Sequence, residues 1–138
     1  MDANAGAAFR WARSAGRRMT EQGSGHIVNI ISEMAERGLT NHAPFSASQA
    51  AIQQMTRSLS LEWGRSGVRI NCIATGWIEL DPPSLEEQQK ELLVRYLPLR
   101  RKGTPDEIAT LMIYLSGDLS DFTTGQTIFV DGGAMAHA

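Results

Sequence analysis

The sequence GHIVNIIS, from Gly25 to Ser32, and the sequence NHAPFSASQAAI, at 41–52, decide the fold of this chain. The first contains a short β-branched apolar run at 27–31, which is typical of a strand buried on both faces of a parallel sheet. The second begins an alanine-rich segment whose apolar residues recur at helical spacing, which predicts a helix at 46–63. A buried strand followed by a long helix is the basic unit of an α/β domain.

The same alternation of helix and strand extends outward from these two segments. Helically spaced apolar residues and short β-branched runs predict, in chain order, a helix at 5–20, a strand at 68–74, helices at 85–96 and from 105 onward, and a strand at 127–130. Strands that alternate with helices predict an α/β fold, a three-layer Rossmann-like parallel sheet truncated to about three strands. We expect residues 1–138 to form one such domain.

The composition is that of an ordinary soluble globular protein. Of the 138 residues, 42% are hydrophobic and 20% are charged, and the net charge is −2. Without a dense basic run we expect no nucleic-acid binding, and without an apolar run of about 20 residues we expect no membrane helix. Cys72 is the only cysteine, which excludes a disulfide or zinc framework within one chain. The N-terminal segment lacks the apolar region of a secretory signal, so we expect a cytoplasmic location.

Four side chains stand at a spacing that resembles the active site of the short-chain dehydrogenase/reductase family. Phe45 follows Ser32 by 13 positions, and Gln49 follows Phe45 by four. In that family the three positions hold serine, tyrosine and lysine. Asn4, which lies 28 positions before Ser32, matches the family's structural and proton-relay asparagine. The resemblance makes Asn4, Ser32, Phe45 and Gln49 the candidate catalytic positions, with phenylalanine at the tyrosine position and glutamine at the lysine position.

The rest of the chain resembles the C-terminal half of the same family's fold. The segment at 60–78 is similar to the family's helix-to-strand segment, and the segment at 100–133 is similar to its C-terminal signature. Thr75 replaces the proline of a proline–glycine pair, and Leu80 stands where a threonine usually contacts the nicotinamide. Asp131, in the sequence VDGG, is expected to serve a turn and a subunit contact.

The replacements at 45 and 49 remove the groups that move a proton in this family. There the tyrosine is the general acid and base, and the lysine's positive charge draws the phenol pKa down from about 10. Such help is worth roughly 10²–10⁴ in rate. Phe45 has no proton to donate and Gln49 has no charge.

The resemblance implies NAD(P) as the cofactor, but one motif is missing. The sequence has no glycine-rich turn of the GxxxGxG type, which in the family holds the cofactor pyrophosphate at a helix N-terminus. We therefore expect no cofactor, no cofactor-binding residues and no metal in this chain.

Other polar residues near these positions have simpler explanations. Ser32 is predicted to satisfy a backbone group at its strand end, and Asn4 to cap its helix. We expect His42 to have no chemical role, and Glu33 and Glu36 to lie on a solvated loop face. The remaining candidates, Trp63 and Trp77, are predicted to be packing residues.

These observations favour a catalytically degenerate member of the family that acts as a non-catalytic or assembly subunit. By resemblance, the helices at 5–20 and 46–63 correspond to the family's four-helix dimer bundle, and the strand at 127–130 with its DGG segment corresponds to a second interface. The expected partner is a second copy of the chain or a full-length short-chain dehydrogenase/reductase subunit.

Three alternatives remain open. One is a cofactor-independent enzyme of the isomerase, cyclase or dehydratase type that reuses the pocket around Ser32, with Asn4, His42 and Glu33 polarising a carbonyl. Another is an oxidoreductase completed by a second chain, which would pair with the bare edge of the strand at 27–31. The last is a truncated gene product.

Overall fold

The structure, a computed structural model, describes residues 1–136. The sheet formed by these residues has three parallel strands, β1 (Gly25–Ser32), β2 (Val68–Thr75) and β3 (Thr127–Val130), in the order β1-β2-β3. β1 and β2 pair along their full lengths, from Gly25 opposite Val68 to Ser32 opposite Thr75. The predicted parallel α/β fold with about three strands is confirmed. The assignment of residues 1–138 to one domain stays a prediction.

The middle strand, β2, lies at the centre of the core. It pairs with a strand on each edge, and helices cover both of its faces, so its Val68, Ile70, Cys72 and Ile73 are fully buried. Alternate side chains point to opposite faces of the sheet. Cys72 is a buried free thiol, and burial raises the pKa of that thiol.

Three helices sandwich the sheet. Helices α1 (Ala7–Gln22) and α2 (Ala43–Trp63) pack on one face, and α5 (Pro105–Ser116) packs on the other. Two short helices, α3 (Leu85–Gln88) and α4 (Leu92–Tyr96), precede α5 in the chain. The buried clusters are Ala12, Leu59 and Ile70 on the α1–α2 face, and Ile73, Ile108 and Leu115 on the α5 face.

Close contact between α1 and α2 depends on a small residue. Gly16 of α1 is buried, and a Cβ placed on it would collide with the ring of Trp63 at the end of α2. The indole therefore lies directly against the backbone of α1. This confirms the prediction that Trp63 is a packing residue.

The predicted helix at 85–96 is wrong in one respect, because the segment forms two short helices. They are α3 (Leu85–Gln88) and α4 (Leu92–Tyr96). The Gln88 side chain is buried at the break, where its amide donates to the Pro83 carbonyl at 2.8 Å and its carbonyl accepts from Lys102 N–H at 2.9 Å. These long-range bonds hold the chain in a bend, which helical periodicity alone does not reveal.

β1 forms one edge of the sheet in the described part of the chain. β2 is its only partner there, and Ile30 is 55% exposed on its surface. The bare edge expected from the sequence is therefore present among residues 1–136. Within the same residues, no helix is long and apolar enough to span a bilayer.

Candidate functional site

The candidate residues meet where α2 begins over the carboxyl end of β1. Ser32 is the last residue of β1, and Phe45 and Gln49 lie in the first two turns of α2. Asn4 lies in a wide helical turn that precedes α1. The tertiary fold thus brings all four candidate positions to the carboxyl end of β1.

Gln49 is a structural tether between α2 and β1. Its side chain is buried, with 7% exposed. Its Oε1 accepts a hydrogen bond from Ser32 N–H at 3.0 Å, and its Nε2 donates to Ser48 Oγ at 3.3 Å. A lysine in this position has no acceptor to offer Ser32 N–H, so glutamine makes a contact here that the residue it replaces does not.

Ser48 links the candidate positions to one another, and sequence reasoning missed it. Its side chain is fully buried. Its Oγ accepts from Asn4 Nδ2 at 3.0 Å and donates to the Phe45 carbonyl at 2.7 Å. The signal that was available is its position, three residues after Phe45 and next to Gln49 on a helix. The contact also corrects the prediction that Asn4 caps its helix, because Asn4 donates across to α2. Met1 precedes the wide turn at 2–6, and Gly6 precedes α1.

The hydroxyl of Ser32 and the ring of Phe45 have no arrangement for proton transfer. Ser32 Oγ accepts from Met34 N–H at 3.2 Å, which starts a short 3-10 turn. The prediction that Ser32 satisfies a backbone group at its strand end is confirmed. Phe45 is 40% exposed and carries no polar atom. Neither side chain supplies an acid near neutral pH.

Glu33 departs from its expected place on a solvated loop. Its side chain is buried, with 2% exposed, while Glu36 is exposed as predicted. Glu33 Oε1 accepts from Arg37 Nη1 at 3.1 Å, and Glu33 Oε2 has no partner among the described residues. Burial raises the pKa of the Glu33 carboxyl, the Arg37 charge opposes that rise, and the Asp131 charge adds to it.

Replacing Glu33 with glutamine is expected to stabilise the fold increasingly as the pH rises. A carboxyl whose pKa is raised in the folded state binds more protons there than in the unfolded chain, so stability falls as the pH climbs above its usual pKa of 4.5. Glutamine does not titrate. The melting temperature of the Glu33→Gln variant, minus that of the wild type, should be smallest below pH 4.5 and should grow as the pH rises above that value.

The exposed Glu62 near the end of α2 provides the matched control. The Glu62→Gln variant should track the wild type at every pH. If the difference in melting temperature between the Glu33→Gln variant and the wild type did not change with pH, burial of the Glu33 charge would not lower the stability of the fold.

The other singled-out residues have local contacts. His42 Nδ1 contacts the Thr40 carbonyl at 2.8 Å. The Asp131 carboxylate accepts from Gly133 N–H at 2.9 Å and Met135 N–H at 2.8 Å, which confirms its role in a turn. Leu80 is 89% exposed. No cluster of three or more histidine, cysteine, aspartate or glutamate side chains suited to a metal ion occurs in residues 1–136.

The segment that contains α3 and α4 is fastened by Lys102. The Lys102 Nζ donates to Glu79 Oε2 and to Glu91 Oε1, both at 2.8 Å, and its side chain is only 16% exposed. The two carboxylates raise the pKa of Lys102. We define these three side chains as the Lys102 clamp. Through it, Lys102 holds Glu79, in the segment before α3, and Glu91, the residue before α4.

Removing the clamp charge is expected to loosen α3 and α4 locally. In the Lys102→Met variant, backbone amides of residues 85–97 should exchange with deuterium faster than in the wild type, since opening no longer breaks two charge-assisted bonds. Amides of β2 should be unaffected.

The control for the clamp is Lys90→Met. Lys90 is exposed and reaches only Glu86, at 3.9 Å, so its loss should leave exchange unchanged. Equal exchange in the Lys102→Met variant and the wild type would show that the clamp does not hold this segment.

Comparison with known proteins decides the family. Residues 1–135 match the family described as enoyl-(acyl carrier protein) reductase. The chain belongs to the short-chain dehydrogenase/reductase family. A 3-oxoacyl-[acyl-carrier-protein] reductase from Rickettsia felis is 36% identical over 136 residues, which cover 98% of this chain and 56% of that protein. An uncharacterized oxidoreductase from Mycobacterium tuberculosis is 37% identical over 147 residues, covering 99% of this chain and 54% of that protein.

Solved structures of relatives agree with the fold. The gluconate 5-dehydrogenase of Burkholderia cenocepacia, in complex with NADP and tartrate, has a TM-score of 0.84 and 31% identity over 95% of this chain and 52% of its own. A relative from Beutenbergia cavernae, with NADP bound, has a TM-score of 0.85 and 31% identity over 95% of this chain and 54% of its own. The chain thus spans about half the length of the short-chain dehydrogenase/reductase relatives that it matches.

These structures correct the expectation that no cofactor is involved. Two relatives hold NADP, and the family normally uses NAD(P). The absence of a glycine-rich turn from this sequence did not justify the prediction of no cofactor, because the present chain aligns with only about half of each relative. The positions that meet the nicotinamide in the family do not fit it here. Gln49 uses its amide on Ser32 and Ser48, and Leu80 presents an exposed apolar side chain.

Proposed function

We propose that this chain is a catalytically degenerate short-chain dehydrogenase/reductase that serves as a non-catalytic, assembly subunit. The observation that carries the proposal is the state of Gln49. Its amide holds Ser32 N–H at 3.0 Å and leaves no ammonium beside position 45. The residues at this site hydrogen-bond α2 to β1.

The chemistry of the remaining side chains supports the loss of proton transfer. Phe45 has no hydroxyl, and Ser32 Oγ is engaged with Met34 N–H. General acid–base catalysis requires a titratable group within hydrogen-bond reach of the reacting atom. Glu33, which follows Ser32 in the sequence, is the nearest carboxylic acid to that serine along the chain, but it is buried against Arg37.

Large exposed apolar side chains support a role in assembly. Trp11 of α1 is 77% exposed, and Leu61 of α2 is 84% exposed. Near the end of α5, Leu119 is 88% exposed and the Phe122 side chain is fully exposed. Exposed aromatic and aliphatic groups of this size are enriched where proteins meet. The partner is a second copy of this chain or a full-length subunit of the same family.

The edge of β1 supports one further candidate, an oxidoreductase completed by a second chain. Parallel strands leave a row of N–H and C=O groups on an unpaired edge, and an added strand satisfies them. β1 offers eight residues for such pairing. Even when completed in this way, the site would still contain Phe45 and Gln49.

The cofactor-independent alternative finds less support. It needs a cavity that converges on Ser32, yet a concavity of about 450 Å³ at the carboxyl end of the sheet is lined by other residues, among them Trp77, Tyr96 and Leu97. Ser32 Oγ accepts from Met34 N–H, and its own O–H has no acid or base beside it at position 45, which holds Phe45.

Sedimentation velocity tests the assembly proposal. We expect the purified chain to sediment as an oligomer, and the Trp11→Glu and Leu61→Glu variants to shift toward the monomer because a charge is desolvated at the interface. Leu80→Glu, at a residue that is equally exposed but outside α1 and α2, is the control. A wild-type monomer at all concentrations, alone and with a full-length subunit, would contradict assembly.

An activity assay separately tests the loss of catalysis. Ketone reduction by the wild type with NADH or NADPH should not exceed the rate in buffer. Turnover by the unmodified chain would show that a proton donor other than position 45 is at work.

A further inference from the structure

Helix α1 has an outer face that is rich in arginine. Its four arginines, Arg10, Arg13, Arg17 and Arg18, are all exposed, and Glu21 is the only acidic residue of the helix. The helix therefore has a formal charge of +3. Because the net charge of the chain is −2, the residues outside α1 together have a charge of −5. Charge is thus distributed unevenly over the molecule.

Only part of the positive charge is balanced nearby. Arg10 Nη1 lies 2.8 Å from Asp2 Oδ1, and Arg17 Nε lies 3.4 Å from Glu21 Oε1. Both are exposed pairs, which contribute little because water screens them. Arg18 forms no ion pair among residues 1–136. Its guanidinium is available to an anion from outside the chain.

A shallow apolar groove lies beside Arg18. It is lined by Trp11, Ala15 and Met19 together with Arg18, and the Trp11 side chain is 77% exposed. We call these four residues the α1 groove. Tryptophan, methionine and arginine are residue types that protein interfaces favour, so the groove has the composition of a docking surface.

The turn at 118–122, which follows α5, has the opposite charge. Asp118 and Asp121 are exposed, and no lysine or arginine occurs within the turn. Between and beside these carboxylates, Leu119 is 88% exposed and the Phe122 side chain is fully exposed. We call this segment the acidic turn. It combines two negative charges with two large apolar side chains.

The acidic turn is held in one shape by the buried Arg69. Arg69 Nη1 donates to the Thr123 carbonyl at 3.1 Å and Nη2 donates to the Gly117 carbonyl at 3.0 Å, so one guanidinium fixes both ends of the turn. Ser120 in its middle is buried, and its Oγ contacts the Leu115 and Gly117 carbonyls. A surface that is ordered in advance loses little conformational entropy when it binds a partner.

The acidic turn and the α1 groove do not meet within one molecule. Helix α1 packs on one face of the sheet, and α5, which leads into the turn, packs on the other face. Among residues 1–136, no ion pair joins the two surfaces. Complementary surfaces on opposite sides of one molecule can be satisfied only between copies, in a head-to-tail arrangement.

We propose that the acidic turn of one copy docks in the α1 groove of a second copy. Leu119 and Phe122 lie against Trp11, and the Asp118 carboxylate pairs with the Arg18 guanidinium. Each copy offers one turn and one groove, so assembly extends into a chain or closes as a ring. This inference rests on the assembly role proposed above and names the partner as a second copy of the chain.

Sedimentation velocity of two variants, alone and mixed, tests this contact. The turn variant is Leu119→Ser/Phe122→Ser, and the groove variant is Trp11→Ser/Arg18→Glu. All four side chains are exposed, so both variants should keep the wild-type melting temperature. Each variant alone should sediment as a smaller species than the wild type, because every contact between its copies has lost one side.

The equimolar mixture of the two variants gives the decisive result. The intact groove of the turn variant should accept the intact turn of the groove variant, and the mixture should form a complex with one copy of each. An isologous interface uses the same surface on both copies, so it would gain nothing from mixing.

The matched control is the Leu80→Ser/Arg65→Glu variant. It changes one large apolar side chain and one arginine at exposed positions outside the acidic turn and the α1 groove. It should sediment as the wild type does.

The outcomes separate this contact from the assembly role. Assemblies of wild-type size from either variant, or no complex in the mixture, would overturn the head-to-tail contact and leave the assembly role standing. A wild type that is monomeric alone but joins a full-length subunit would do the same. A wild-type monomer under both conditions would contradict the assembly role itself.

A lipid surface is the other anionic partner that the arginines could meet, and vesicles containing phosphatidylserine test it. Because the acidic turn does not favour such a surface, we expect no binding of the wild type that depends on Arg18. Vesicle binding that is lost in the groove variant, with sedimentation unchanged in both variants, would assign the α1 groove to lipid and overturn the contact between copies.

Discussion

Replacing Gln49 with leucine is expected to lower the free energy of unfolding by about 1–3 kcal/mol. Leucine has nearly the same volume, so the change removes the amide without opening a large cavity. Ser32 N–H then loses the acceptor that lies 3.0 Å away, and Ser48 Oγ loses one of its two donors. A donor left unpaired in a buried site carries its full desolvation cost.

Urea denaturation of the two proteins gives the measurement, from the shift in the midpoint at constant slope. Gln54→Leu is the control, since Gln54 lies on the same helix with its side chain exposed, and it should change stability by no more than about 0.5 kcal/mol. If Gln49→Leu were as mild as the control, Gln49 would not act as the joint between α2 and β1.

Truncating Ile73 to alanine is expected to destabilise the protein by about 2–5 kcal/mol. Ile73 is fully buried in the central strand, where it packs with Ile108 and Leu115 of α5. Three methylene or methyl groups leave the cluster, and the surrounding strand and helix cannot fully close the space. Because β2 pairs with both β1 and β3, the substitution is expected to destabilise the whole sheet.

The same denaturation experiment checks this value. The control is Ile113→Ala, which removes the same atoms from α5 at a side chain that is 72% exposed, and its effect should stay near about 0.5 kcal/mol. Similar effects from the two variants would mean that α5 does not pack on the sheet as described.

The Gln49 result bears directly on function. Gln49 hydrogen-bonds Ser32 N–H and Ser48 Oγ at the position where the family has a lysine. Lysine at this position would remove the acceptor of Ser32 N–H. For this reason a Phe45→Tyr/Gln49→Lys variant regains two groups but loses the tether.

Local patterns in the chain were sufficient for most of the architecture. The apolar run at 27–31 and the helical spacing after Pro44 predicted β1 and α2, because burial imposes those periods on any sequence that forms them. The proline and acidic residues at 105–107 likewise predicted the start of α5, where a Thr104–Glu107 capping box is found.

The burial of Glu33 and the break between α3 and α4 were not predicted from the sequence, because both depend on tertiary contacts. Glu33 was placed in solvent because carboxylates are rarely buried without a partner, and its partner Arg37 lies on a turn whose path the sequence does not specify. The break between α3 and α4 depends on Gln88 reaching Lys102, 14 positions away.

The amino-acid sequence by itself determined the order of strands and helices, the family, and the absence of a phenol at position 45 and an ammonium at position 49, since these follow from residue type and local period. Only the tertiary structure decided what took their place. Gln49 accepts from Ser32 N–H, Ser48 Oγ contacts both Asn4 Nδ2 and the Phe45 carbonyl, and Glu33 is buried beside Arg37. Hydrogen bonds between distant residues depend on how elements pack, and packing depends on the whole chain at once.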